Sequence, residues 1–244
     1  PTGTRAFIVI GSQDYVVECS VDPATGNFYN CLNTLASNLN FPKGIALNTA
    51  GTRAFIVNYG NNTVTQCSVD PTTGKFSACK NTGATGINFS SDIILNAAGT
   101  RAFMTNTRLA TITRCNVNSA TGQFSSCAQT GKGATAGSND SYAITLNAAG
   151  TRAYVATMKT VNQCSVDPAT GNFSACKNTG ATNINFPIGV TLNTTGTRAF
   201  ITNFSDNTIT QCSVDSASGN FSNCANTGAT GLNHPMKTVL HTKG

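Results

Sequence analysis

The sequence predicts an all-β fold, a five-bladed β-propeller with four antiparallel strands per blade, and three observations predict it. Gly-Thr-Arg-Ala followed by an apolar run recurs at Gly3, Gly51, Gly99, Gly150 and Gly196, at spacings of 48, 48, 51 and 46 residues. A period of that size with strand-like composition belongs to a closed array of small sheets. Charged residues make up 10% of the 244, so helix formers such as Glu and Lys are scarce while β-branched and turn residues abound. Ten cysteines fall into five pairs, each pair 12 residues apart and one pair to a repeat. Residues 1–244 read as a single propeller domain.

The second repeat shows how a blade arises. Gly44-Ile45-Ala46-Leu47-Asn48 is a short apolar strand, and Thr49 to Thr52 turn. Arg53 to Asn58 form a second strand, Tyr59 to Asn62 turn again, and Thr63 to Val69 form a third. Asp70-Pro71-Thr72-Thr73-Gly74 has Pro early and Gly late, as a hairpin loop closed by a left-handed residue requires. Lys75 to Lys80 complete the blade. Phe7, Phe55, Phe103, Tyr154 and Phe200 share one repeat position, and Phe28, Phe76, Phe124, Phe173 and Phe221 another. Both sets are expected to pack between blades.

The pairs Cys19/Cys31, Cys67/Cys79, Cys115/Cys127, Cys164/Cys176 and Cys212/Cys224 sit on either side of that loop. Zinc is the competing reading, but two thiolates per repeat with no second pair or histidine at ligand spacing do not make its site. Even, regular pairing reads as disulfides stapling the two outer strands, and so as an oxidising compartment: secreted, periplasmic or cell-surface. The chain opens inside a repeat, and its C-terminal stretch His234 to His241 aligns with Phe186 to Asn193, a first strand. It is expected to supply the inner strand of the N-terminal blade and close the ring, with a leader removed ahead of Pro1.

The pattern Leu-Asn-x-x-Gly-Thr-Arg-Ala-Phe-Ile-x-Asn, then Asn-Thr-Val-Thr-x-Cys-Ser-Val-Asp-Pro-x-Thr-Gly, runs from Asn48 to Asn58 and Asn62 to Gly74, and Asn193 to Asn203 repeats its first half. It resembles the YVTN-type repeat of bacterial and archaeal surface propellers, which also occurs in lactonase-like propellers. The resemblance implies blades rather than a chemistry. Lactonase-like members usually have seven blades, and a cysteine pair in every blade is unusual for the repeat. Five blades of this length are also similar, at the level of fold, to the tachylectin type of lectin.

Function is sought where the repeats differ. The loops Asn-x-x-Gly-Thr-Arg and Asp-Pro-x-Thr-Gly barely change and share the bottom face, where Asp22, Asp70, Asp167 and Asp215 are expected to cap their turns. The other loops vary and share the top face, which carries Asp14, Asp92, Asp140 and Asp206. At the top of the inner strands Lys43, Asp92, Tyr142 and Lys237 are the candidate ligand-binding residues, converging on the channel mouth. No catalytic set is visible: a hydrolase needs a base, a metal or an activated nucleophile. The two histidines, His234 and His241, lie near the C-terminus, and His234 takes a position held elsewhere by Phe41, Phe89 and Phe186. Asp92 and Asp140 are the pair that would share a Ca²⁺; no other cofactor is expected. The net charge of +6 comes without a Lys/Arg run, which argues against nucleic acid, and no transmembrane run is present.

The expected function is therefore a secreted or surface-associated, non-enzymatic module that binds glycan or protein through the top face. Two alternatives stay open: a structural subunit of a surface layer or filament, which self-associates, and a lactonase-like hydrolase at the channel mouth.

Overall fold

The computed structural model describes residues 5–134 and 140–238, and is an all-β propeller of five blades. Blade 1 comprises β1 (Arg5–Ile10), β2 (Tyr15–Val21) and β3 (Phe28–Asn33); blade 2 comprises β4 (Pro42–Leu47), β5 (Arg53–Asn58), β6 (Thr63–Val69) and β7 (Phe76–Asn81). Blade 3 follows with β8 (Ile93–Leu95), β9 (Arg101–Asn106), β10 (Thr111–Val117) and β11 (Phe124–Thr130). Blade 4 has β12 (Ala143–Leu146), β13 (Arg152–Ala156), β14 (Val161–Val166) and β15 (Phe173–Asn178), and blade 5 has β16 (Pro187–Leu192), β17 (Arg198–Asn203), β18 (Thr208–Val214) and β19 (Phe221–Asn226). Each sheet runs in sequence order, and the expected strand from His234 to His241 that would complete blade 1 lies partly outside the described residues. A short 3₁₀ turn at Gly11–Gln13 is the helical structure among the described residues.

The outer hairpins explain the cysteine spacing. Gln66 pairs with Lys80 and Ser68 with Ser77, so Cys67 faces both Ala78 and Cys79 across a bulge. The extra residue takes the left-handed region in every blade: Asn30, Ala78, Ser126, Ala175 and Asn223 have φ of 48–49°. The bulge brings the paired Cα atoms to 4.0–4.1 Å. All five disulfides form as expected: Cys19–Cys31, Cys67–Cys79, Cys115–Cys127, Cys164–Cys176 and Cys212–Cys224.

Their burial is asymmetric, which the spacing alone does not show. Cys19, Cys67, Cys115, Cys164 and Cys212, on the third strand of each blade, are buried in the packing between blades. Their partners sit on the outermost strand. Cys31 of β3 is exposed, Cys79 of β7, Cys127 of β11 and Cys176 of β15 are half-buried, and Cys224 of β19 is buried. Cys31, Cys79, Cys127 and Cys176 therefore tie an edge strand to the core, and all ten cysteines are engaged in these bridges. Five disulfides suit an oxidising, extracytoplasmic compartment. Among the described residues no helix is long and apolar enough to cross a membrane.

The chain divides into two compact units. The first holds the residues up to Met104 with Cys115–Ala128, and the second holds Thr105–Arg114 and the residues from Gln129 onward. Within each, the core lies between successive blades rather than inside one. In the first unit, Ala54 and Ile56 of β5 point towards Val16 while Phe55 and Val57 point towards Ala102 and Met104. That is why the strand is buried along almost its whole length instead of alternating. The matched aromatics meet as pairs, Phe7 on Phe76, Phe55 on Phe124 and, in the second unit, Tyr154 on Phe221, each with centroids 5.2 Å apart. Phe28 departs from the expectation. It is 55% exposed, where Phe76, Phe124, Phe173 and Phe221 are 3–8%, and among the described residues no ring contact covers it.

The lower loops do what the sequence suggested. Asp70 Oδ1 accepts from the amides of Thr72 and Thr73 at 2.8 and 3.0 Å, and Asp22 and Asp215 cap their loops the same way. These hydrogen bonds hold the three carboxyls below the ordinary carboxylate range. Three of the repeated arginines are clamps between blades. Arg53 donates to Gln66 Oε1 at 2.6 Å and to the carbonyl of Ala120, in the loop of the next blade, at 2.8 Å. Arg5 bridges Glu18 and the carbonyl of Thr72, and Arg152 reaches the carbonyl of Ala217.

Candidate functional site

In the first unit the inner strands come together through a glycine. A Cβ on Gly44 would lie 2.9 Å from both the Cα of Asp92 and the carbonyl oxygen of Ser91. The absence of a side chain therefore lets β4 press against the entry to β8. Asp92 is 3% exposed. Its Oδ1 accepts from the amide of Ile93 at 3.0 Å, and Ser90 Oγ donates to its carbonyl at 3.3 Å. Lys43, one residue before Gly44, is exposed. Its ammonium sits 4.7 Å from the centroid of Phe41 and 5.9 Å from that of Tyr59, a cation–π arrangement.

The second unit repeats this close approach. Gly189 of β16 stands where a Cβ would meet the carbonyl of Met236 at 2.6 Å and the Cα of Lys237 at 3.2 Å. Thr202 Oγ1 donates to the carbonyl of Met236 at 3.2 Å, and Thr191 Oγ1 to that of Thr238 at 2.5 Å. Residues 236–238 thus run beside β16 as Ser91 and Asp92 run beside β4, with Lys237 exposed. The amide of Tyr142 donates to Ala156 O at 2.9 Å, and its ring lies 5.5 Å from Phe186. Lys43 and Asp92 are accordingly neighbours within one unit, and Tyr142 and Lys237 belong to the other.

Sequence reasoning missed the device that builds the variable loops. Phe41, Phe89, Phe186 and His234 all adopt positive φ, between 45° and 51°. The amides of three are held by the last residue of the preceding loop: Phe41 by Asp14 at 2.5 Å, Phe89 by Asn62 at 2.5 Å and His234 by Asn207 at 2.7 Å. These holding residues are themselves left-handed, at 54–57°. Asp14, expected among the acidic residues of the variable top-face loops, is therefore a loop clamp. The result is two rows of rings. Phe41, Tyr59 and Phe89 meet edge-on at 6.0 and 5.0 Å. Tyr142, Phe186, Phe204 and His234 follow one another at 5.5, 5.5 and 4.3 Å. The matched aromatics were visible in the sequence, but their pairing with Tyr59 and Phe204 was not, because those two occur in only two of the five loops.

A second unread device fixes the same loops from below. Asn58 is fully buried and donates to Thr63 and Thr65 at 3.0 and 2.9 Å while accepting from the amide of Asn40 at 3.1 Å. Asn203 makes the same three bonds with Thr208, Thr210 and Asn185. The Asn that ends the second strand and the Thr-x-Thr that opens the third thus form a buried amide relay. Among the described residues no group of three or more His, Cys, Asp or Glu comes together.

No family model matches the chain, and no curated protein does. Solved structures do. A protein from Bacteroides uniformis provisionally named a 6-phosphogluconolactonase superposes with a TM-score of 0.68 at 11% identity, covering 97% of this chain and 71% of that one. The periplasmic gluconolactonase of Pseudomonas aeruginosa gives 0.63 at 14% identity, with 91% and 64% covered. A chain of the nidogen/laminin complex gives 0.68 at 11% identity, with 96% and 80% covered. At these identities the likeness is one of fold: a propeller of the kind found in lactonases and in a binding protein alike.

Proposed function

We propose that the chain is a lactonase-like propeller of an extracytoplasmic compartment, opening a sugar-derived lactone at the loop end of its inner strands. The observation that carries this is the buried carboxylate-bearing residue Asp92, whose backbone lies against Gly44 next to the exposed Lys43, in a fold similar to lactonases. Ring opening needs a water oxygen to add to the carbonyl, a base to take its proton, and positive charge near the oxygen that becomes anionic. Asp92 is the base and Lys43 the charge. The ring C–O bond then breaks and the alkoxide takes up a proton, giving the open hydroxy acid. Tyr142 and Lys237 hold the matched positions of the second unit and are proposed to bind ligand there.

The test is acid release from glucono-δ-lactone, measured against the spontaneous rate. Asp92→Asn keeps the shape of the side chain and removes the base, so turnover should fall by about 10²-fold or more. Lys43→Met should also lower kcat, and both variants should keep the wild-type circular dichroism. Hydrolysis no faster than in buffer ends this reading.

A second reading rests on the aromatic rows. Phe41 is 41% exposed, and Tyr59 and Phe89 extend its row beside Lys43. Such rings stack on the apolar faces of sugars, so a secreted module that binds glycan or protein without turnover is the alternative, and a glycan array on the oxidised protein distinguishes it.

A further inference from the structure

A cleft of about 530 Å³ opens beside β18 and β19 of blade 5, lined by Asn183, Ile184, Asp206, Thr208, Ala225 and Asn226. Two differences within the repeat bear on it. Blades 2 and 4 carry Lys80 and Lys177 where blade 5 has Ala225 and blade 3 has Ala128, so the wall of this cleft lacks the long side chain of blades 2 and 4. Blade 2 also has Asn61 at the position of Asp206, and Thr63 occupies it by donating at 2.7 Å. In blade 5 the matched Thr208 makes no such bond among the described residues.

The polar groups left over form a consistent set. Asp206 Oδ1 accepts from Asn185 Nδ2 at 2.6 Å, which fixes the carboxylate and leaves Oδ2 open. Asn226 Oδ1 accepts from the amide of Gly228 at 2.9 Å, which turns its NH₂ outward. Thr208 Oγ1 accepts from Asn203 at 3.0 Å and keeps its own proton to donate. Asn183 is held by its bond to the carbonyl of Cys224 at 2.7 Å. Ile184 and Ala225 supply the apolar part of the lining. A single carboxylate flanked by amide and hydroxyl donors disfavours a bare cation, whose ligands must all be oxygen lone pairs. The same set fits a ring that presents adjacent hydroxyls to the carboxylate, accepts from Asn226 and Thr208, and lays its C–H face on Ile184.

We propose that this cleft is a binding site for a neutral monosaccharide unit, separate from Lys43 and Asp92 and independent of the lactonase reading. The experiment is saturation-transfer NMR and titration calorimetry with free glucose, galactose, mannose and N-acetylglucosamine. At least one should bind with a dissociation constant on the order of 1 mM. Asp206→Asn and Ala225→Lys should each weaken it by tenfold or more, the second by restoring the residue that blades 2 and 4 carry and therefore without a folding penalty. Lactone hydrolysis and thermal midpoint should not move in either variant. No binding of any of the four sugars at about 20 mM, or binding that survives both variants, would overturn the proposal.

Discussion

At the scale of single residues, the repeat tolerates strain where a bulge demands it. Ala78 and Ala175 are exposed alanines in the left-handed region, at φ of 48° and 49°, where blades 1 and 5 carry Asn30 and Asn223. A side chain with a Cβ and no local hydrogen bond costs about 1–2 kcal/mol there, and Asn is the residue that bears it best. Ala78→Asn should therefore raise stability by up to about 1 kcal/mol, read from the midpoint of chemical denaturation of the oxidised protein. The capping aspartates give a second expectation. The carboxyls of Asp22, Asp70 and Asp215 are lowered from 3.8, chiefly by backbone hydrogen bonds. An unfolded chain binds protons more readily than these folded sites do, so their contribution is present above 3.8 and is lost as pH falls through the lower folded values. Blade 3 shows what removes the dependence: Asn118 caps the same loop with bonds of 3.0 Å to Ala120 and Thr121. Replacing Asp22, Asp70 and Asp215 together by Asn should flatten the acid limb of a thermal-midpoint profile taken from about pH 6 to about pH 2.

At the scale of elements, the outer hairpin was the most legible part of the sequence and still hid its bulge. Turn chemistry and cysteine spacing located β6, β7 and the loop between them. The register shift at Cys67 was not legible, because the residue that takes the left-handed turn is Ala or Ser in three blades and carries no signal. Nor was the uneven burial of the bridges, since Cys31, Cys79, Cys127 and Cys176 read in sequence like their buried partners Cys19, Cys67, Cys115 and Cys164. The amide relay of Asn58 was hidden for a similar reason: in a chain this rich in Asn and Thr, a functional pair of them does not stand out. The disulfide and the loop cap act on the same short ring, so their effects overlap. Cys67→Ser with Cys79→Ser should lower stability by less than the roughly 3 kcal/mol that chain entropy assigns to a ring of this size, because a capped hairpin is already partly closed when unfolded. Denaturant titration of the double variant against the oxidised parent measures it.

At the scale of the molecule, periodicity gave the five blades because every repeat must bury both faces of its middle strands against neighbours of the same kind. The candidate site was legible only as matched positions. Alignment put Lys43 and Asp92 at the tops of inner strands, but not the Gly44 contact that makes them neighbours or the Phe41 ring over which Lys43 lies. Matched positions also hid a difference in burial. Phe28 and Phe76 are equivalent in sequence, yet Phe76 packs on Phe7 at 3% exposure while Phe28 is 55% exposed beside Tyr29 and Leu32, at 51% and 58%. Truncating a buried Phe removes its transfer free energy and leaves a cavity, so Phe76→Ala should cost about 3–5 kcal/mol. Truncating an exposed one does neither, and Phe28→Ala should cost less than about 1 kcal/mol. Chemical denaturation of the two variants side by side decides the point. If Phe28→Ala is as damaging as Phe76→Ala, Phe28 is buried in solution, and β3 must then be counted with the core rather than the surface.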